Sequence, residues 1–186
     1  MIERALPPTI TARETAPDVR FRSMVDAHFV TVWRALRHLG VPEVGADDGA
    51  QQVFLVAARR LDDIRAGGER QYLLAIALRV ASEIRRALRR RREVPMDTPV
   101  SEPLCVATVD QQPEQALDNK RALAMLATCL EGMSEKLRDA FVLFELEELS
   151  APEVARLLGV PVGTVASRVR LAREYIRESL GSRGRR

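Results

Sequence analysis

The chain has 186 residues, room for one domain of ordinary size or two small ones. With 46% hydrophobic and 30% charged residues it can build cores and stay in solution, and a formal net charge of +3 is too small to name a nucleic-acid partner by itself. The first 20 residues hold no apolar run of signal-peptide type, and no later stretch has the unbroken apolar length of a membrane span. A cytoplasmic chain with no membrane partner is therefore expected, with residues 1–20 as a flexible tail broken by Pro7, Pro8 and Pro17.

From Phe21 the apolar residues fall at Met24, Val25, Phe29, Val32, Trp33, Leu36 and Leu39, the three-four spacing of one helix face, and Gly40 and Pro42 end that helix. A second helix is predicted from about Asp47, with Ala50, Val53, Phe54 and Ala57 inward and Asp48, Gln51, Gln52 and Arg59 outward. Asp62 to Gly68 reads as a polar loop. A third helix runs from Glu69 to Arg92 on a stripe of Leu73, Ile76, Ala77, Val80, Ile84, Ala87 and Leu88. Three matched apolar faces can bury one small core.

Between Glu93 and Gln115 the periodicity stops. This stretch holds Pro95, Pro99, Pro103 and Pro113, five acidic residues and no Lys or Arg, so it is predicted to be a flexible acidic linker. Helical spacing returns at Ala116 with Leu117, Leu123, Leu126, Ala127 and Leu130. Ser134 can cap the next helix, which buries Leu137, Ala140, Phe141 and Phe144. Two more helices follow, from Ser150 to Leu158 and from about Pro161 to Leu180. The fold expected is all-α: two small helical domains, 21–92 and 116–181, joined by the linker 93–115 and followed by a basic tail, 182–186.

Ser150–Arg173 carries the most information. Ser150 and Glu153 can form a capping box, Pro152 sits in the first turn where no internal hydrogen bond is lost, and Gly159 suits a left-handed helix end. Val154, Leu157 and Leu158 face a core, and Val165 and Val169 would pin the second helix to the first. Thr164, Ser167, Arg168, Arg170 and Arg173 then point outward, as in a helix-turn-helix whose second helix enters a major groove. Arginine can grip guanine through two parallel hydrogen bonds, and helix-start N–H groups with Thr164 can hold a phosphate. The plainer reading is a helical hairpin with a solvated face; small residue, turn glycine and basic outer face together count against it.

A second cationic feature is the run Arg79, Arg85, Arg86, Arg89, Arg90, Arg91 and Arg92, dense enough to repel itself without a polyanion. Tyr72 on the same helix could stack an unpaired base or pack in the core, whereas Trp33 lies on an apolar stripe and reads as core. No phosphate-loop glycine pattern, HExxH or nucleophile elbow is present, and His28 and His38 read as packing or solvent-exposed residues, so no enzyme is expected. Cys105 and Cys129 have no partners placed to complete a zinc set. They read as a loop thiol and a buried helix thiol, and no metal or cofactor is expected.

These segments resemble a known family, the extracytoplasmic-function sigma factors of bacterial RNA polymerase. GERQYLLAIALRVASEIRRALRRRRE is similar to the family's promoter-melting helix, ADDGAQQVFLVAARRL to the helix that docks on the polymerase clamp, and LSAPEVARLLGVPVGTVASRVRLAREYIRESL to its C-terminal helix-turn-helix. The resemblance implies a region 2 domain at 21–92 and a region 4 domain at 116–181. It implies that Asp48, Gln51, Gln52 and Leu55 contact the beta-prime subunit, with the beta subunit a further partner. Tyr72, Arg79, Glu83, Arg85, Arg86 and Arg89, with the Leu61–Arg70 loop, would engage the melted, single-stranded −10 element. Thr164, Ser167, Arg168, Arg170 and Arg173 would read the duplex −35 element. An inhibitory anti-sigma protein is a further partner of the kind the family implies. Gly49 stands where the family usually has leucine, Tyr72 where it has tryptophan, Arg79 where it has asparagine, Glu83 where it has aspartate, and Ala166 where lysine or arginine is common.

Overall fold

The structure is a computed structural model that describes residues 16–92 and 113–183. Among these residues it is all helical, with no strand. The helices are α1 (Ala16–His38), α2 (Glu43–Ala58), α3 (Glu69–Arg92), α4 (Pro113–Gly132), α5 (Glu135–Phe141), α6 (Ala151–Leu158) and α7 (Val162–Arg183). The first three pack on one another as an N-terminal body, and α5, α6 and α4 pack on α7 as a C-terminal body. Residues 1–15, most of the expected acidic linker with Cys105, and the last three residues of the basic tail lie outside the described residues.

In the N-terminal body Val32, Leu36 and Leu39 of α1 meet Ala46, Ala50 and Val53 of α2 and Leu73, Ala77 and Val80 of α3, all buried. Phe29 and Phe54 stack with ring centroids 6.2 Å apart. Trp33 is half-buried and donates its indole N–H to Asp47 Oδ1 at 2.9 Å, so it packs on the core as expected and also ties α1 to α2. Gly49 has a packing reason: a Cβ there would lie 3.2 Å from Leu36 Cδ1 and 3.3 Å from Ile84 Cδ1. The neighbouring helices fill the space that a leucine would need, and the helical cost of glycine, about 1 kcal/mol, is set against that close approach.

Several expected boundaries move. The first helix begins at Ala16 rather than Phe21, with Asp18 in its first turn facing the positive end of the helix dipole. Arg20 is therefore not tail: its guanidinium donates to the carbonyls of Leu61 (3.0 Å) and Ile64 and pins the segment between α2 and α3. That segment is not simply a polar loop, because it holds a 3-10 turn (Leu61–Asp63) and buries Leu61 and Ile64. The second helix starts at Glu43, four residues before Asp47, since Pro42 fixes the entry and Glu43 supplies the first-turn acid. Helix α4 starts at Pro113, inside the stretch read as linker; proline is tolerated in a first turn. Ser134 stands at the N-cap of α5 but makes no side-chain capping bond.

The C-terminal core gathers Cys129, Leu130 and Met133 of α4, Ala140 and Phe141 of α5, Val142 and Leu143 beyond it, Val154 and Ala155 of α6, and Val165, Val169 and Ala172 of α7. Cys129 is buried as expected. A π-helical turn, Val142–Leu146, follows α5, and Glu148 takes a left-handed φ of 50°, which swings the chain into α6.

Candidate nucleic-acid interface

The entry to α6 is built by Ser150 and Glu153. The Glu153 carboxylate accepts the Ser150 N–H at 2.8 Å and its hydroxyl at 2.6 Å, and these bonds hold its pKa below the usual carboxylate range. Pro152 occupies the first turn, and Gly159 ends α6 at φ 64°, ψ 37°, a conformation other residues adopt only with strain. The Thr164 N–H bonds back to Pro161 O at 2.9 Å, so α7 starts where the sequence places it. Val165, Val169 and Ala172 are buried toward α6 and α5.

At about 100° per residue, Thr164, Ser167, Arg168 and the exposed Leu171 share one face of α7. Ser167 is exposed and donates to Gly163 O at 2.9 Å; Thr164 and Arg168 are half-buried. Arg170 flanks that face, exposed and paired along the helix with Glu174 at 2.6 Å. Arg173 lies farther round and is held by Glu145 through two hydrogen bonds, its Nε at 2.8 Å from Oε1. Four of the five residues thus border one open surface, and Arg173 is directed at the π-turn.

Helix α3 divides its basic residues. Tyr72, Arg79, Glu83 and Arg86 fall within about 60° of one another. Arg79, Glu83 and Arg86 are exposed, and Tyr72 is half-buried against the core. Arg85 lies well round the helix and is only 6% exposed. It donates to Leu39 O, to Asp139 Oδ2 at 3.1 Å and to Glu135 Oε1 at 3.3 Å. Arg85 therefore leaves the set of open −10 candidates: its charge is spent on α1 and α5. Arg89 is exposed but also bonds Glu135.

Those contacts belong to a polar seam between the two bodies. At the start of α3, Arg70 donates to Glu147 O at 2.7 Å and to Glu147 Oε2 at 3.0 Å. Glu147 is almost wholly buried, and burial pushes its carboxyl up against the pull of Arg70 and Arg34. At the other end Arg138, also buried, lies so close to Gly40 that a Cβ there would fall 2.8 Å from the guanidinium carbon. Burial, then the nearby Arg85, lower the Arg138 pKa from its ordinary value. Burial also works against the charge on Glu135, but the Arg89 hydrogen bond and the surrounding arginines win and hold its carboxyl below the usual range. Asp139 shifts the other way, raised by burial despite Arg85 and Arg138. A cleft of ≈ 520 Å³ opens along this end, lined by Arg37, His38, Arg85, Arg89, Glu135 and Arg138 among others. Neither Arg138 nor Glu147 was singled out for such a role in the sequence, where helical period alone does not separate a buried arginine from a solvated one.

On α2, Asp48, Gln51, Gln52 and Leu55 are all exposed, with Leu55 an exposed large apolar side chain. No group of three or more metal-ligating side chains occurs among the described residues, and none of their helices is long and apolar enough to cross a membrane.

The family model for Sigma-70, region 4, matches residues 123–176, the stretch that ends in α6 and α7. The ECF RNA polymerase sigma factor SigC of Mycobacterium tuberculosis is 33% identical over 153 residues, covering 78% of this chain and 75% of SigC. The chain belongs to the extracytoplasmic-function sigma factors of the sigma-70 family. The family's SigE from Mycolicibacterium smegmatis is 29% identical over 157 residues, which are 84% of this chain and 60% of SigE. Among solved structures, this sigma factor is similar to CnrH, an RNA polymerase sigma factor of Cupriavidus metallidurans, in complex with the cytosolic domain of CnrY. That match has a TM-score of 0.62 and 25% identity, over 87% of this chain and 88% of CnrH.

Proposed function

We propose that the chain binds core RNA polymerase and reads promoter DNA at two places, duplex at −35 and single-stranded at −10, without catalysing a reaction of its own. The N-terminal body, 21–92, serves as region 2 and the C-terminal body, 116–181, as region 4. The exposed face of α2 with Asp48, Gln51, Gln52 and Leu55 docks on the beta-prime subunit, and the C-terminal body reaches the beta subunit. The observation that carries this reading is the division of α7: an apolar stripe buried on α6 and α5, and away from it a polar surface on which Ser167 and Arg170 are exposed and Thr164 and Arg168 half-buried. The open face of α3, with Tyr72, Arg79, Glu83 and Arg86, supports capture of unstacked bases, where one aromatic ring and neighbouring cations suit a strand leaving the duplex. Arg89 can join it when freed from Glu135. An anti-sigma protein that covers these faces is consistent with the CnrH–CnrY complex.

Run-off transcription with purified core polymerase on genomic fragments tests the reading. The wild-type chain is expected to start transcripts at defined sites. Arg168→Ala or Arg170→Ala is expected to weaken promoter binding by about 1–3 kcal/mol each and to make its salt dependence shallower. Unchanged transcript yield from the double variant would contradict it.

A further inference from the structure

The cleft of ≈ 520 Å³ between α1, α3, α4 and α5 has no part in promoter reading, and its volume is that of a small-molecule site. Among the described residues, four arginines line it against two carboxylates: Arg37, Arg85, Arg89 and Arg138 against Glu131 and Glu135. Glu135, with Asp139 nearby, answers Arg85 and Arg89, and Glu43 reaches Arg37 at 3.8 Å. Arg138 has no carboxylate in salt-bridge contact among the described residues. It is only 6% exposed, its Nη1 donates to Leu130 O at a long 3.3 Å, and its Nε is buried without a hydrogen bond. Gly40, at φ 89°, leaves room for this guanidinium where any side chain would collide with it. A buried cation without a counter-charge is costly, and an anion in the cleft removes that cost. The local field is positive in keeping with this: burial first, and then neighbouring arginines, lower the pKa of both Arg138 and His38 from their ordinary values. Leu88, Ala127, Leu130 and Met133 supply an apolar part of the wall.

We propose that this cleft is a binding site for a small di- or triphosphate, which gives Arg138 the counter-charge it lacks and engages the exposed Arg89 at the mouth. Phosphate oxygens suit guanidinium groups, which present paired N–H donors. The depth of Arg138 suits a small ligand rather than duplex DNA. The proposal is separate from the promoter reading and stands or falls without it.

Isothermal titration calorimetry of the full chain with inorganic pyrophosphate, ATP and adenosine tests it. Pyrophosphate and ATP should bind at one site and adenosine should not. The probes also separate the two sources of such a ligand. Pyrophosphate binding at least as tightly as ATP assigns an inorganic phosphate chain; tighter binding of ATP assigns a nucleotide whose base uses the apolar wall. Arg138→Gln, in protein that circular dichroism finds folded, should weaken pyrophosphate binding roughly tenfold or more. Ala127→Glu puts a carboxylate at a half-buried lining position and should weaken it by roughly three- to tenfold, whereas Ala127→Lys should not weaken it. The Ala127 pair carries the test even if Arg138→Gln does not fold. No binding of either phosphate compound by about 1 mM would overturn the proposal. So would adenosine binding as tightly as ATP, or an affinity for pyrophosphate that Ala127→Glu or folded Arg138→Gln leaves unchanged, since the anion would then sit on another arginine surface.

Discussion

Helices α3 and α7 are the two helices richest in arginine in this sigma factor, and they use arginine differently. On α7 the cations border an open surface or pair with nearby glutamates of the same body. On α3 the cations separate around the helix: Arg79 and Arg86 face solvent, while Arg70, Arg85 and Arg89 are bonded to the other body. Arginine content alone therefore does not mark a nucleic-acid surface. The angular position of each side chain, and what the second body places opposite it, decide which cations remain available.

The largest effect that sharpens this contrast concerns pH. Both histidines of the chain lie in the N-terminal body. His38 is buried at the cleft, and burial, then Arg34 and Arg37, lower its pKa from 6.5 to about 4. The folded group resists the proton that the unfolded chain accepts. Its contribution is therefore complete above pH 6.5 and is lost as pH falls from there toward 4, by on the order of 2–3 kcal/mol. Between pH 7 and pH 4.5 the unfolding free energy from denaturant melts should fall further for wild type than for His38→Gln, and equal pH dependence would remove His38 from the account.

Arg85→Ala comes next. It leaves Leu39 O without its buried donor and Asp139 without a principal partner, and should lower stability by about 2 kcal/mol. Arg86→Ala, one residue along on the open face, should change stability by no more than about 0.5 kcal/mol while weakening promoter capture. Thermal melts that rank the two alike would erase the distinction between the faces of α3.

How much of this could be read in the sequence differs between the two helices for a physical reason. The helix-turn-helix is local: capping box, first-turn proline, left-handed glycine and the Val165/Val169 stripe lie within one short segment, and each took the form expected of it. The α3 face was legible only in part, because Arg85 and Arg89 meet Glu135 and Asp139 some 50 residues away, beyond the reach of helical period. Arg20 and Glu43 were missed at helix starts, where solvated polar residues give no apolar rhythm. Gly49 stands in the sequence only as a departure from the family's usual leucine, and its reason appears only once Leu36 and Ile84 are packed around it.

Footprinting on one promoter fragment, with and without core polymerase, tests the central claim most directly. With core, the chain is predicted to protect the −35 region and to render bases near −10 reactive to a single-strand probe; alone, it should do neither at specific sequence. A sequence-specific footprint formed by the chain without polymerase would contradict the account.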